Sequence, residues 1–163
     1  MTHPKEETQN FILLLKNFNQ KLFFHLAKFN RQFFLTHLNS VLTFLLNHHL
    51  EFKIFFPPYS ILTWKSWEHH KYLQDMLEFK KYILRQSIKY KNVKLYDFQI
   101  AKEITHNLDN YKDISHYSGK MNRWMVQQIK ENNYLITKNN IDKYLKTLKE
   151  QIKNYDLNQT LSK

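Results

Sequence analysis

Two short apolar runs with a long helical pattern between them constrain this chain most. Phe52-Lys53-Ile54-Phe55-Phe56 is stopped by Pro57-Pro58, and Val93-Lys94-Leu95-Tyr96 ends at Asp97. Proline has no amide hydrogen for a sheet ladder, so the first run reads as a strand that must end where it does. From about Trp64 to Tyr90 the apolar residues Trp67, Tyr72, Leu73, Met76, Leu77, Tyr82, Ile83 and Ile88 follow helical spacing, and neither Gly nor Pro interrupts them. Strand, helix and strand together make a βαβ unit, whose strands are expected to be parallel. Sites in such sheets form beyond the carboxyl ends of the strands. Pro57 to Ser60 and Asp97 to His116 should therefore border one crevice.

The rest of the chain reads as helix-rich. The residues Phe11, Leu15, Phe18, Leu22, Leu26, Phe29 and Phe33 form one face of an amphipathic helix, widened by Phe23, Phe24 and Phe34. Phe34, Leu38, Val41, Leu42 and Leu45 continue a helical pattern to about His48. A further helix starts near Ser118, with Met121, Trp124, Met125 and Ile129 on its apolar side. Tyr134-Leu135-Ile136 is a brief extended piece, and Thr137 is placed to cap a last helix bearing Ile141, Tyr144, Leu145, Leu148 and Ile152. The tail from Asp156 reads as frayed. The expected organisation is one domain in three stretches: N-terminal amphipathic helices over 1–50, the βαβ core over 51–137, and a C-terminal helix with its tail over 138–163.

Composition narrows the function classes. With 13 Phe and 10 Tyr in 163 residues, the chain has the apolar material for a core and does not read as disordered. It has one glycine, Gly119, so a glycine-rich phosphate loop or dinucleotide fingerprint is excluded. It has no cysteine, which rules out disulfides, zinc–thiolate sites and thiol catalysis. None of the nine histidines stands four residues from another, and the adjacent pairs His48-His49 and His69-His70 point apart on a helix, so no metal and no cofactor is expected. Residues 32–50 carry no Lys, Arg, Asp or Glu, but Thr, Asn, Ser, Gln and His interrupt the stretch, so it is not expected to span a membrane. The first residues carry no cleavable signal pattern, and the chain as written reads as cytoplasmic. A formal charge of +11 suits a polyanion, but no short Lys/Arg block marks a footprint, and a solvated basic surface is the ordinary reading. Nucleic acid is not the expected partner.

Catalytic interest falls on LDNYKDISHYS. Asp113 and His116, three residues apart on a polar turn leading into a helix, can point into one crevice as the acid–base half of a serine-hydrolase site. On spacing alone, a capping Asp beside a surface His is the commoner arrangement. The region from FKIFFPPYSILTW through KNVKLYDF to NLDNYKDISHYSGKMNRWM, roughly Asn30 to Thr137, resembles the C-terminal half of SGNH/GDSL-type hydrolase-like proteins. Those proteins belong to bacterial systems that handle acyl groups on cell-surface polysaccharides.

The resemblance implies a partial flavodoxin-like three-layer α/β sandwich and gives roles to two residues. Asp113 would orient, and His116 would act as general base, in an esterase or acyltransferase acting on acylated glycans. Tyr59, Ser60, Trp64, Asp97 and Tyr117 would border the substrate crevice. The family's Gly-Asp-Ser-like nucleophile block and its Gly-x-Asn block have no counterpart, since no glycine precedes Gly119. Ser60 is a poor substitute: Pro57-Pro58 remove two backbone donors where an oxyanion hole needs them, and a turn or capping serine is its default reading. The expectation is therefore a domain inactive alone, open to self-association or to a complementing chain. A complete exported version would be periplasmic or at the cell surface. The rival reading is a basic helical module that binds a polyanion or a partner protein.

Overall fold

The computed structural model describes residues 31–113 and 115–156, and the expected N-terminal stripe from Phe11 to Phe29 lies outside them. In chain order the elements are α1 (Arg31–Asn47), β1 (Phe52–Phe56), α2 (Ile61–His69), α3 (Leu73–Ser87), β2 (Val93–Asp97), α4 (Lys102–Thr105), α5 (Gly119–Lys130), β3 (Leu135–Ile136) and α6 (Ile141–Asn154). Single 3-10 turns cover Phe98–Ile100 and Leu108–Asn110. The chain divides into two units, Met1–Val41 and Leu42–Lys163. The second unit holds the sheet.

The fold is mixed α/β and rich in helix. Among the described residues the sheet has three strands in the order β1-β2-β3. β1 and β2 are parallel, with Ile54 opposite Leu95 and Phe56 opposite Asp97, as the strand–helix–strand pattern requires. β3 is antiparallel to β2, Leu95 facing Ile136. Alternation along the strands divides the apolar load between the two faces. On one face Phe56 meets Phe79 of α3 edge-on at 6.5 Å. On the other, Tyr96, Phe98 and Met125 form a buried cluster with Phe55, Trp124, Ile129, Tyr134 and Leu135 packed around it. The apolar stripe Ile141, Leu145, Leu148 and Ile152 of α6 is buried. Polar contacts tie that helix down: Gln151 Nε2 donates to the Ile100 carbonyl at 2.9 Å, Lys65 Nζ to that of Ile152 at 3.2 Å, and Lys81 Nζ lies 3.5 Å from Asp142 Oδ1.

The long helix expected from Trp64 to Tyr90 is two helices, interrupted at His70-Lys71-Tyr72. Tyr72 N–H bonds to the Trp67 carbonyl at 2.8 Å and Lys71 N–H to that of Glu68 at 3.1 Å, the paired bonds of a Schellman stop. Such a stop needs one residue in the left-handed region, and Lys71 takes it at φ 62°. The same device ends α1 at His49 (φ 54°) and α5 at Asn132 (φ 53°). Leu50 N–H reaches the Leu45 carbonyl at 3.0 Å, and Asn133 N–H that of Gln128 at 2.9 Å. Glycine ordinarily fills these places because it lacks the Cβ that makes left-handed backbone unfavourable. The lone Gly119 instead sits at the start of α5 without positive φ, where an added Cβ would meet nothing within 4 Å.

Two smaller expectations change. Thr137 does not cap α6 with its hydroxyl; its carbonyl accepts from Asn140 and Ile141 N–H, while Asn140 Oδ1 accepts Thr137 N–H at 2.8 Å. Lys80, one of the lysines of the basic surface expected to be solvated, is 1% exposed. It lies in the middle of the buried face formed by Met76, Leu77, Ile83 and Leu84, where helical spacing leaves it no route to water. No described helix is long and apolar enough to cross a membrane.

Candidate functional site

The loop between Asn110 and Ser118 is closed by its own backbone. Tyr111 and Tyr117 form an antiparallel bridge, Lys112 N–H donates to the His116 carbonyl at 2.7 Å, and Ser118 N–H to that of Asn110 at 2.8 Å. At the tip, Asp113 folds back on the residues that follow it. Its Oδ1 accepts Ser115 N–H and His116 N–H, each at 2.9 Å, and the Ser115 hydroxyl at 3.2 Å. Its Oδ2 faces His116 Nδ1 at 2.6 Å. Aspartate side chains favour this turn because they can bond backbone two and three residues on.

The electrostatics follow from those donors. Backbone N–H of Ser115, then that of His116, then the imidazole hold the Asp113 carboxyl well below the usual carboxylate range. An ionised carboxylate can only accept, so the proton between the two side chains sits on Nδ1. Nε2, which makes no hydrogen bond among the described residues, is then the basic nitrogen of the neutral ring. The pair is open to solvent, with His116 76% and Asp113 51% exposed.

Long-range contacts carry this loop to the end of β1. The Tyr111 hydroxyl donates to the Pro58 carbonyl at 2.7 Å, joining the loop to the turn that follows the strand. Burial raises the Tyr111 hydroxyl, and it pushes Tyr117 up to about 12 with help from the charge on Tyr59. Burial also raises Tyr59, whose ring meets Trp67 edge-on at 5.6 Å. Thus the loop bearing Asp113 and His116 is joined to the turn after β1 through Tyr111 and Pro58, and Tyr117 lies near enough to Tyr59 for their charges to interact. Tyr111 and Ser115 were not singled out from sequence. The Asp-x-Ser spacing was a usable signal for Ser115; nothing local points to Tyr111.

Other expected crevice residues lie inside the protein. Ser60 is 0% exposed and serves as N-cap of α2, its Oγ accepting Thr63 N–H at 3.4 Å and lying 3.5 Å from Thr63 Oγ1. Trp64 is fully buried, its ring 4.8 Å from that of Trp67. Asp97 is also fully buried, because β2 ends under α3. Asp97 Oδ1 accepts Gln99 N–H at 3.0 Å, and Oδ2 pairs with Lys80 Nζ. Lys80 also donates to Gln99 Oε1 at 2.6 Å and lies 5.0 Å from the centre of the Phe56 ring and 5.6 Å from that of Trp64. Burial lowers the Lys80 ammonium and the Asp97 charge opposes that shift. This enclosed pair belongs to the core beside the strand ends.

Among the described residues no group of three or more His, Cys, Asp or Glu could hold a metal ion. A groove of about 430 Å³ lies at the other end of β2, lined by Leu84, Ile88, Val93, Leu95, Ile136 and Lys138 among others, and by none of the residues above. Compared with protein families, curated proteins and solved structures, the chain matches none.

Proposed function

We propose that this chain is the acid–base portion of an SGNH-type ester hydrolase or O-acyltransferase for acylated glycans, with Asp113 orienting His116 and His116 as general base. The observation that carries this reading is the 2.6 Å contact between His116 Nδ1 and an Asp113 carboxylate held by two backbone N–H groups. In this reading Nε2 takes the proton of a serine hydroxyl as its oxygen attacks the acyl carbon, and Asp113 stabilises the imidazolium. His116 then returns that proton to the departing alkoxide. Helices on both sheet faces and a parallel β1–β2 pair suit part of a flavodoxin-like three-layer sandwich. The serine and its oxyanion donors come from sequence outside these 163 residues, since Ser60 is enclosed as a helix cap.

The test combines the chain with a separately produced segment bearing a Gly-Asp-Ser-like and a Gly-x-Asn block. Alone, the chain is expected neither to hydrolyse acyl esters nor to label with a fluorophosphonate probe. The combination should do both and lose hydrolysis in His116→Ala. Stoichiometric labelling of the isolated chain would refute the reading.

One observation favours the rival polyanion-binding reading. Lys143, Lys146, Lys149 and Lys153 are all exposed on α6 at three- and four-residue spacing, although Asp142 and Glu150 interleave them and Lys146 lies 3.9 Å from Glu150. Binding through them should fall steeply with salt. No retention on dextran sulfate at low ionic strength would remove it.

A further inference from the structure

We infer that the outer edge of β1 pairs with the same edge of a second copy of this chain, antiparallel about a twofold axis at Ile54. Among the described residues β1 is a terminal strand of the sheet. Phe52 N–H donates to the Asn92 carbonyl at 2.8 Å, and the register runs residue for residue from there. In a parallel pair both main-chain groups of a residue point the same way and alternate along the strand. Phe52, Ile54 and Phe56 therefore bond toward β2, and Lys53 and Phe55 present their N–H and C=O groups outward. No hydrogen bond to these four groups occurs among the described residues. Pro57 comes next in the outward series and has no N–H, so the open edge comprises two donors and two acceptors. Such a row is a template for another strand.

The occupant follows from which residues would face each other. Outward residues must oppose outward residues, which leaves three antiparallel registers for a second β1. One sets Lys53 against Lys53 of the second copy, placing like charges directly opposite. Another sets Phe55 against Phe55 and brings Lys53 to Pro57, which has no donor to give. The third sets Lys53 against Phe55 in both directions and makes all four bonds. It also stacks Ile54 on Ile54 and Phe52 on Phe56 across the other face, and lays each Lys53 stem beside a phenyl ring. Glu51, 2.9 Å from Lys53 Nζ in the same chain, remains beside that ammonium. A twofold contact of this kind closes on itself and yields a dimer rather than a filament.

The chain lacks cysteine, so engineered thiols report the register without background. Full-length Lys53→Cys and Phe55→Cys proteins are mixed and oxidised. Directly opposed, hydrogen-bonded residues have Cα atoms about 5.5 Å apart, inside disulfide range. The expected product is the mixed 53–55 dimer, in excess over 53–53 and 55–55. Independently, Lys53→Pro removes one outward donor and leaves the β1–β2 ladder intact. Light scattering should then fall from dimer mass to monomer mass while circular dichroism keeps the folded spectrum. A parent protein monomeric at every concentration, a dominant 53–53 product, or a dimer that survives Lys53→Pro would each overturn the inference. Protection of the Lys53 and Phe55 amides only on adding a different polypeptide would likewise overturn it, assigning the edge to a foreign strand.

Discussion

Replacing Lys80 by methionine tests the core beside the strand ends more severely than any other single change. Methionine keeps the length and apolar stem of lysine, so packing against Phe56 and Trp64 is largely preserved. What is lost is the ammonium that faces Asp97 and bonds to Gln99. Asp97 is 0% exposed and cannot be reached by water, so its charge is left buried with only the Gln99 N–H as donor. Removing one partner of a fully buried ion pair costs about 3–5 kcal/mol. That is a large share of a typical domain stability of about 5–15 kcal/mol. For a chain of this size it corresponds to a drop in Tm of roughly 6–20 °C. The double variant Lys80→Met with Asp97→Asn removes both charges while Asn Oδ1 still accepts Gln99 N–H. Neutral replacements of buried pairs are often nearly isoenergetic, so the double should recover most of the loss and sit within about 2 kcal/mol of the parent. Urea unfolding of the four proteins measures the cycle. If Lys80→Met costs under about 1 kcal/mol, or the double loses the sum of the singles, the pair is not the tightly coupled unit its burial implies.

Three further outcomes follow from the geometry. Lys71→Gly and His49→Gly should each stabilise the protein by about 0.5–1 kcal/mol in urea titrations, because glycine occupies left-handed backbone without the Cβ penalty; Gly119→Ala should add a similar amount, and Lys71→Ala nothing. The Asp113 carboxyl, followed by carbon NMR, should titrate below the ordinary aspartate value of about 3.9. His116→Ala should raise that midpoint but not restore it, since the two backbone donors remain. Because the folded carboxyl is the stronger acid, its contribution to loop order is present above the ordinary value and is lost as pH falls through the folded one. Tyr111→Phe should cost about 0.5–1.5 kcal/mol and speed exchange of the Lys112 and Ser118 amides, while the Asp113–His116 contact, made within the loop, persists.

Much of the strand and helix pattern is legible in the sequence. An apolar run ending in Pro57-Pro58 and another ending at Asp97 are local signals, and they specify two strands whose connection leaves parallel pairing as the ordinary solution. The break at Lys71 was hidden for a local reason as well. Helix ends are found by their glycines, and here Lys, His and Asn stand at the left-handed stops while apolar spacing runs on through Tyr72 and Leu73. Lys80 was legible in part, since Met76, Leu77, Ile83 and Leu84 place it mid-face. That the face closes over it depends on Asp97 and Gln99, which come from another element.

The candidate site divides along the same line. Asp113, Ser115 and His116 interact within three residues, so a turn that couples carboxylate to imidazole is encoded in the segment itself. Where that turn is held is not, because its anchor is a tyrosine hydroxyl on the carbonyl of Pro58. Ser60, Trp64 and Asp97 looked like crevice residues from their places after or near strand ends. Only the packing of α2 and α3 over those ends decided that they are interior. Interactions spanning a few residues survive in the order of amino acids, whereas burial is a property of surfaces from distant segments, and the chain acquires it only when they meet.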